Sequence, residues 1–159
     1  MSADARLREL GLELPAFPEL PFTPRLVPVL EHDGLAYLSG VGPIGVAGVV
    51  GGDLTAEEGY EAARTTALLA LRRVVDEYGG LDRVERWVKV LGFVRSAPGF
   101  GDQPAVVNGF TDLVVEVYGR ERGLCARSAI GVPELPAGIP VEVEAVLALR
   151  SDAQTKEGG

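Results

Sequence analysis

The sequence predicts an α+β domain in which two helices pack on one face of a β-sheet. Apolar residues alternate with polar ones in several short segments, whereas two longer segments repeat apolar residues at helical spacing. The resulting order is β-β-α-β-α-β-β. The chain has 159 residues, of which 47% are hydrophobic and 24% charged. These values are typical of one globular domain with enough apolar material for a core.

The N-terminal region differs from the rest of the chain. Ser2 to Leu10 is predicted to form a short helix that ends at Gly11. Four prolines follow at every third position, which favours an extended, polyproline-like segment: Pro15, Pro18, Pro21 and Pro24. We interpret residues 1–25 as an arm that lies on its own domain, with docking into an aromatic groove of a partner as the alternative. Residues 26–150 form the domain, and 151–159 form a polar, disordered tail.

The first two strands form a hairpin. Leu26 to Glu31 and Leu35 to Ser39 are apolar runs, and the Asp-Gly pair between them is a strong hairpin signal. The same turn contains His32, so we expect a solvated histidine there rather than a catalytic one. His32 and Cys125 are the single histidine and cysteine of the chain. This predicts neither a closed metal site within one chain nor a disulfide framework.

Capping residues predict the bounds of two helices. Thr55 and Glu58 form a capping box at the start of the first helix, and Gly79-Gly80 ends it. The second helix begins at Asp102, a suitable N-cap, and ends at Gly119. The buried stripe of the second helix is predicted to contain Val107, Phe110, Val114 and Val117.

Three further strands complete the sheet. Val84 to Arg95 is a long strand, Cys125 to Val132 is the next, and Val141 to Leu149 is the last. The last strand alternates perfectly, with Glu142 and Glu144 opposite its apolar face. A short additional strand is predicted near 46–50.

One face of this sheet has no helix to cover it. We place apolar side chains beside the two glutamates on that open face: Val90, Val94 and Val146. An exposed sheet face of this kind predicts self-association.

Charge and hydropathy exclude some functions. Lysine and arginine total 15 against 23 aspartates and glutamates, a formal net charge of −8. An acidic chain without a basic cluster lacks the counterion-releasing surface that nucleic acids require. No apolar run approaches the about 18 residues of a membrane span, and the N-terminus lacks an apolar signal region. We therefore expect a cytoplasmic protein that binds neither nucleic acid nor membrane.

One basic side chain is a candidate binding residue. Arg127 shares a strand face with three small residues, Cys125, Ala129 and Gly131, which leave room around its guanidinium. Such a pocket suits a small carboxylate held by two parallel hydrogen bonds. The alternative is a structural ion pair with Glu142 or Glu144 at the sheet edge.

The same region resembles a known family. Ala126-Arg127-Ser128, Leu135-Pro136 and Val141-Glu142-Val143-Glu144-Ala145 are similar to the signature of the YjgF/Rid proteins, also called the endoribonuclease L-PSP family. The resemblance extends over Leu26 to Arg150. Other matching positions are Ser39-Gly40 with Pro43, Gly52-Asp53, Val88-Lys89 and Asn108.

The resemblance implies a fold, an assembly and an activity. It implies a chorismate-mutase-like fold and a homotrimer whose sheets close a central barrel, with pockets between subunits. The implied reaction is hydrolysis of reactive 2-imino and 2-enamino acids to 2-keto acids and ammonia, without metal or organic cofactor. Arg127 corresponds to the arginine that binds the substrate carboxylate, and Glu142 to the glutamate that activates water. Ser39 and Asn108 correspond to pocket positions, and Cys125 beside Arg127 is a further predicted substrate-binding residue.

Several departures indicate a divergent branch with an N-terminal extension. The family's Gly-Pro-Tyr element is absent, and Phe22 or Leu26 stands near its place. The usual glutamine after Ser-Gly is Val41, and the cysteine two positions after the arginine is Ala129. These changes predict a more apolar pocket wall. Two alternatives to a deaminase follow: a non-catalytic trimeric carboxylate-binding protein, or a pathway enzyme that performs condensation, cyclisation or isomerisation on the same scaffold.

Overall fold

A computed structural model describes residues 1–151 as an α+β fold with a five-stranded sheet. Within these residues no helix has the length and apolar character needed to cross a membrane. The elements in chain order are α1 (Ala3–Glu9), β1 (Val29–His32), β2 (Leu35–Val41), α2 (Ala56–Tyr78), β3 (Val84–Arg95), α3 (Gln103–Tyr118), α4 (Arg120–Gly123), β4 (Ala126–Val132) and β5 (Val141–Leu149). Single 3₁₀ turns lie at Leu81–Arg83 and Pro136–Gly138. The predicted fold class and strand–helix order are confirmed.

The capping and turn signals explain several of these bounds. The Thr55 hydroxyl accepts a hydrogen bond from the Glu58 amide, and the Glu58 carboxylate accepts one from the Thr55 amide, at 3.1 and 2.8 Å. The far end of α2 is closed by Gly79 at φ 77°. The β1–β2 turn contains Asp33 at φ 50° and Gly34 at φ 74°, the left-handed pair that a two-residue hairpin requires.

One prediction about regular structure is wrong, and one element was missed. The strand predicted near 46–50 does not form, because Gly48 and Gly51 have positive φ angles of 147° and 80°. Val50 instead makes isolated bridges with Leu54 and Ser96. The single-turn helix α4 was not predicted. The predicted tail lies outside the described residues apart from Ser151.

The sheet order is β1-β2-β5-β3-β4, with β3 and β4 parallel and the other pairs antiparallel. Helix α3 forms the crossover between the two parallel strands. The last strand, β5, is inserted between β2 and β3, and β4 lies at one edge. This topology decides which functional side chains can meet.

Helices α2 and α3 cover one face of the sheet. A Cβ atom at Gly109 would lie 2.0 Å from the Tyr60 carbonyl oxygen, so glycine permits the close approach of these helices. An ion pair at 2.6 Å between Arg64 and Glu116 also joins them. The alternating face of β5 is buried beneath the helices, as predicted: Val141, Val143, Ala145, Leu147 and Leu149.

The composition of the open face differs from the prediction. Val90 and Val94 are 1% and 0% exposed and lie on the helix-covered face. Strict alternation from the buried Trp87 would place Val90 on the opposite face, but a register shift between Trp87 and Lys89 reverses the pattern. Val146 does lie on the open face, paired with Tyr37. That face remains partly apolar, since Tyr37 is 42% exposed.

The N-terminal helix is fixed to the domain by reciprocal carboxylate bonds. Asp82 accepts a hydrogen bond from the Ala3 amide at 2.8 Å, and Asp4 accepts one from the Leu81 amide at 3.0 Å. Gly11, at φ 63°, ends the helix as predicted. The segment that follows has no regular structure until β1 and contacts α2, where the Arg73 guanidinium lies 5.2 Å from the centre of the Phe17 ring.

Candidate functional site

Arg127 is held by helix α3. One guanidinium nitrogen, Nη1, donates to Asn108 Oδ1 at 2.9 Å and to Thr111 Oγ1 at 3.0 Å. The other, Nη2, donates to the Pro104 carbonyl oxygen at 3.3 Å. Positions 104, 108 and 111 follow helical spacing, so all three acceptors lie on one face of α3. The helix therefore fixes the orientation of the guanidinium.

The positive charge of Arg127 has neutral hydrogen-bond partners. Within residues 1–151 no carboxylate lies within ion-pair distance of it. The predicted alternative of a pair with Glu142 or Glu144 is wrong, because β3 lies between β4 and β5 and the side chains occupy opposite faces. A guanidinium has five N–H donors, so Arg127 keeps donors for an external anion.

The space around Arg127 is narrower than its small neighbours indicate. A Cβ atom at Gly131 would lie 2.7 Å from both Gln103 Nε2 and Ser96 Oγ, so these side chains already fill that position. Cys125 is half-buried, and burial raises the pKa of its thiol although Arg127 and Lys89 act to lower it. A protonated thiol is consistent with a wall residue rather than a nucleophile.

Glu142 lies on the open face of β5, next to Gly40. A Cβ atom at Gly40 would lie 2.1 Å from Glu142 Oε1, so only glycine leaves room for the carboxylate in this position. Burial and the nearby Glu144 raise the pKa of Glu142, whereas the charge of Arg73 lowers it. The carboxylate is thus a stronger base than an exposed glutamate.

Ser39 supports the backbone beside Glu142. Its hydroxyl donates to the Val27 carbonyl oxygen at 2.7 Å, and its own carbonyl oxygen accepts from Arg73 Nη1 at 2.5 Å. The β2–β5 register shifts between Leu38 and Val41, which places Ser39 and Gly40 in a bulge. The structure therefore brings Ser39 and Glu142 to the same region.

Sequence reasoning missed two residues of these clusters. Thr111 lies one helical turn after Asn108, and that spacing could have identified it. Arg73 belongs to a helix whose neighbouring positions, Leu71 and Val74, are buried. The sequence shows a charged residue beside the apolar stripe of α2, but the contact between Arg73 and Ser39 depends on the tertiary fold.

Two groups of side chains result. We define the Arg127 group as Arg127, Asn108 and Thr111, and the Glu142 group as Ser39, Gly40, Arg73 and Glu142. Arg127 and Glu142 lie on different strands and opposite faces of the sheet, so one chain does not bring these two charges together. Within the described part of the chain, no three His, Cys, Asp or Glu side chains are grouped so as to hold a metal ion.

The structure is thus a small α+β protein with an oriented arginine and a partly buried glutamate, side chains suited to processing a small molecule. A sequence model of the Endoribonuclease L-PSP family matches residues 20–149, and the chain belongs to this family, the YjgF/Rid proteins. Protein TCP17 of Trypanosoma cruzi is 41% identical over 152 residues, covering 92% of this chain and 94% of that protein.

Two crystal structures share the fold over almost the whole chain. A protein of unknown function from Agrobacterium tumefaciens is 35% identical with a TM-score of 0.81, covering 92% of this chain and 91% of its own. A candidate endoribonuclease from Shewanella oneidensis is 25% identical with a TM-score of 0.86, covering 94% and 100%. Both matches extend beyond residues 26–150, so these relatives share part of the N-terminal region.

Proposed function

We propose that the protein hydrolyses reactive 2-imino and 2-enamino acids to 2-keto acids and ammonia. The observation that carries this proposal is the guanidinium of Arg127, which is oriented by three neutral acceptors and has no carboxylate partner within residues 1–151. Family membership supports the processing of small molecules. A substrate carboxylate would supply the missing negative charge and accept charge-assisted hydrogen bonds from the free donors.

The chemistry requires an oriented water and a base. A 2-enamino acid first tautomerises to the imine when its β-carbon gains a proton and its nitrogen loses one. Glu142 then accepts a proton from water as the water oxygen bonds to the imine carbon, and the imine nitrogen takes a proton from solvent to become an amine. Glu142 returns its proton to this amine while the hydroxyl group loses its proton to solvent. Collapse of the intermediate forms the keto C=O bond and breaks the C–N bond, which releases ammonia and regenerates the carboxylate. The raised pKa of Glu142 suits a general base near neutral pH.

The proposed site combines two protomers of a homotrimer. In this proposal the Arg127 group of one protomer faces the Glu142 group of its neighbour. The topology supports a shared site, because it separates Arg127 from Glu142 within one chain. The apolar open face and the edge strand β4 are surfaces that a second copy can cover. As part of this proposal, the reaction uses neither a metal nor an organic cofactor, as the resemblance to the family implies.

Turnover of 2-aminoacrylate, generated in situ, tests the proposed reaction. We expect Arg127→Gln to reduce ammonia and pyruvate release by about 100-fold, as expected when a charged substrate anchor is lost. Arg120→Gln is the matched control, because Arg120 is exposed and outside both groups. Melting curves of both variants verify folding.

Two results would contradict the proposed function. Equal rates for the wild type and Arg127→Gln would remove Arg127 from the reaction. Thermal stabilisation of the wild type by 2-keto acids without any turnover of imino acids would instead assign a non-catalytic carboxylate-binding protein.

A further inference from the structure

A cavity lies between the N-terminal region and helix α2. Its volume is about 360 Å³, within the range of small-ligand pockets. Six apolar side chains between Phe17 and Pro28 form one wall, and α2 contributes Arg73, Asp76 and Glu77 to the other. We call this space the arm cavity. The arm cavity lies near β1, whereas the Arg127 group lies at β4, and these two strands are the opposite edges of the sheet.

The apolar wall of the arm cavity remains open to solvent. Phe17, Leu20 and Leu26 all line the cavity, and they are 37%, 53% and 57% exposed. Three prolines in the same wall restrict its backbone, so a ligand orders little additional chain on binding. A preformed apolar wall of this kind favours an apolar ligand body.

The charges at the cavity select the polar part of the ligand. Arg73 is half-buried, donates to the Ser39 carbonyl oxygen, and lies over the Phe17 ring. Its charge also acts on Glu142, whose pKa it lowers. Asp76 is already paired with Arg72 at 2.8 Å, so its charge is partly neutralised. Arg73 thus provides a cation with spare donors at the base of an apolar wall. Glu77 at the cavity disfavours a ligand with a second negative charge.

We propose that the arm cavity binds a small monocarboxylate with an apolar aromatic or branched body. The carboxylate accepts hydrogen bonds from Arg73, and the body packs against Phe17, Leu20 and Leu26. This site adjoins the proposed deaminase site, because Arg73 also belongs to the Glu142 group, but it shares no residue with the Arg127 group. The Arg127→Gln variant therefore distinguishes binding at the arm cavity from binding at the Arg127 group.

Binding of 4-phenylbutyrate to the full chain, measured by calorimetry, tests the proposal. We expect Phe17→Ala to weaken binding about tenfold, since it removes the aromatic wall and the ring next to Arg73. Phe22→Ala is the matched control: Phe22 belongs to the same segment, is 64% exposed and does not line the cavity. The control is expected to bind like the wild type.

The charge requirement is tested separately. 4-Phenylbutanol has the same body without the carboxylate and should bind at least tenfold more weakly to the wild type. Arg73→Gln should bind the acid and the alcohol equally, whereas Arg25→Gln, in the same segment but outside the cavity, should retain the preference. If Arg73→Gln fails to fold, two comparisons still test the proposal: the affinities of the wild type for the acid and the alcohol, and the affinities of Phe17→Ala and Phe22→Ala for the acid.

Three results would overturn the proposal. The first is equal affinity of Phe17→Ala and Phe22→Ala for the acid. The second is loss of binding in Arg127→Gln with full binding in Phe17→Ala, which would place the acid at the Arg127 group and leave the proposed function intact. The third is the absence of binding to the wild type at millimolar concentrations of the acid.

Discussion

The Arg127 group and the Glu142 group position opposite charges by different means. Arg127 is fixed by hydrogen bonds to three acceptors on one face of α3. Glu142 occupies the space that the missing side chain of Gly40 leaves, beside a bulge in β2. Hydrogen bonds thus orient the guanidinium that we propose binds the substrate, whereas a glycine makes room for the carboxylate that we propose exchanges a proton.

The separation of the two groups has a chemical consequence. If Arg127 and Glu142 met within one chain, the ion pair would occupy the guanidinium and lower the pKa of the carboxylate. In the observed fold β3 separates them, so Arg127 keeps donors and the pKa of Glu142 stays raised. A site assembled between chains can therefore use both charges on one substrate.

The largest expected effect comes from mixing two inactive variants. Arg127→Gln and Glu142→Gln should each lose about 100-fold in turnover. Unfolding an equal mixture of the two variants and refolding it into the proposed trimer should restore about one quarter of wild-type activity. This follows because, in a cyclic trimer, one interface in four joins an intact Arg127 to an intact Glu142.

Each variant refolded alone is the control for this mixture and should stay inactive. Activity of the mixture no higher than the mean of the two variants would mean that the two groups do not act together across an interface.

The next effect concerns the neutral acceptors of Arg127. Asn108→Asp places a carboxylate 2.9 Å from Nη1, so it competes with the substrate for the guanidinium. We expect KM to rise about tenfold with kcat nearly unchanged, because the competition affects binding. Thr111→Val removes one bond without adding charge and should raise KM by about threefold.

Steady-state kinetics with 2-aminoacrylate measure both values for each variant. An unchanged KM in Asn108→Asp would show that the guanidinium does not bind the substrate carboxylate.

The structure also shows which features a sequence can predict. Capping boxes, turn pairs and strand alternation are local, so α2, the β1–β2 turn and the two faces of β5 were predicted correctly. The faces of Val90 and Val94 were predicted incorrectly, because a bulge after Trp87 depends on pairing with β5.

The candidate site divides in the same way. The family signature predicted Arg127, Glu142 and Asn108 as site residues, and the structure joins two of them in the hydrogen bond between Arg127 and Asn108. Arg73 was missed because its bond to Ser39 joins positions 34 residues apart. Contacts across that distance follow from the tertiary fold rather than from any local pattern.

A smaller effect is expected at Gly40. In Gly40→Ala the new Cβ would lie 2.1 Å from Glu142 Oε1, so the carboxylate must move. We expect the free energy of unfolding to fall by about 1–3 kcal/mol, the usual cost of overpacking, and kcat to fall severalfold. Gly101→Ala is the control, since a Cβ at Gly101 meets no atom within 4 Å. Equal kcat in both variants would contradict the assigned position of Glu142.

The smallest effect is a pH dependence of stability with opposite signs at two glutamates. The hydrogen bond from Arg64 lowers the pKa of Glu116, so this ion pair stabilises the fold above the ordinary value of 4.5 and is lost as the pH falls through the folded pKa. Glu116→Gln should therefore have a lower Tm at pH 7, corresponding to a loss of about 0.5 kcal/mol in the free energy of unfolding for a partly exposed pair. This difference should vanish near pH 3.

Glu142 should behave in the opposite way. Its pKa is raised in the folded state, so the ionised carboxylate opposes folding at neutral pH, and this cost disappears as the pH falls through the raised pKa. Glu142→Gln should melt above the wild type at pH 7 to 8, and the difference should shrink to zero as the pH falls towards 4. Thermal melts of both variants from pH 3 to 8 measure the two trends together. A destabilised Glu142→Gln at pH 8 would indicate that an opposite charge already pairs with Glu142, and the distinction between the two groups would then fail.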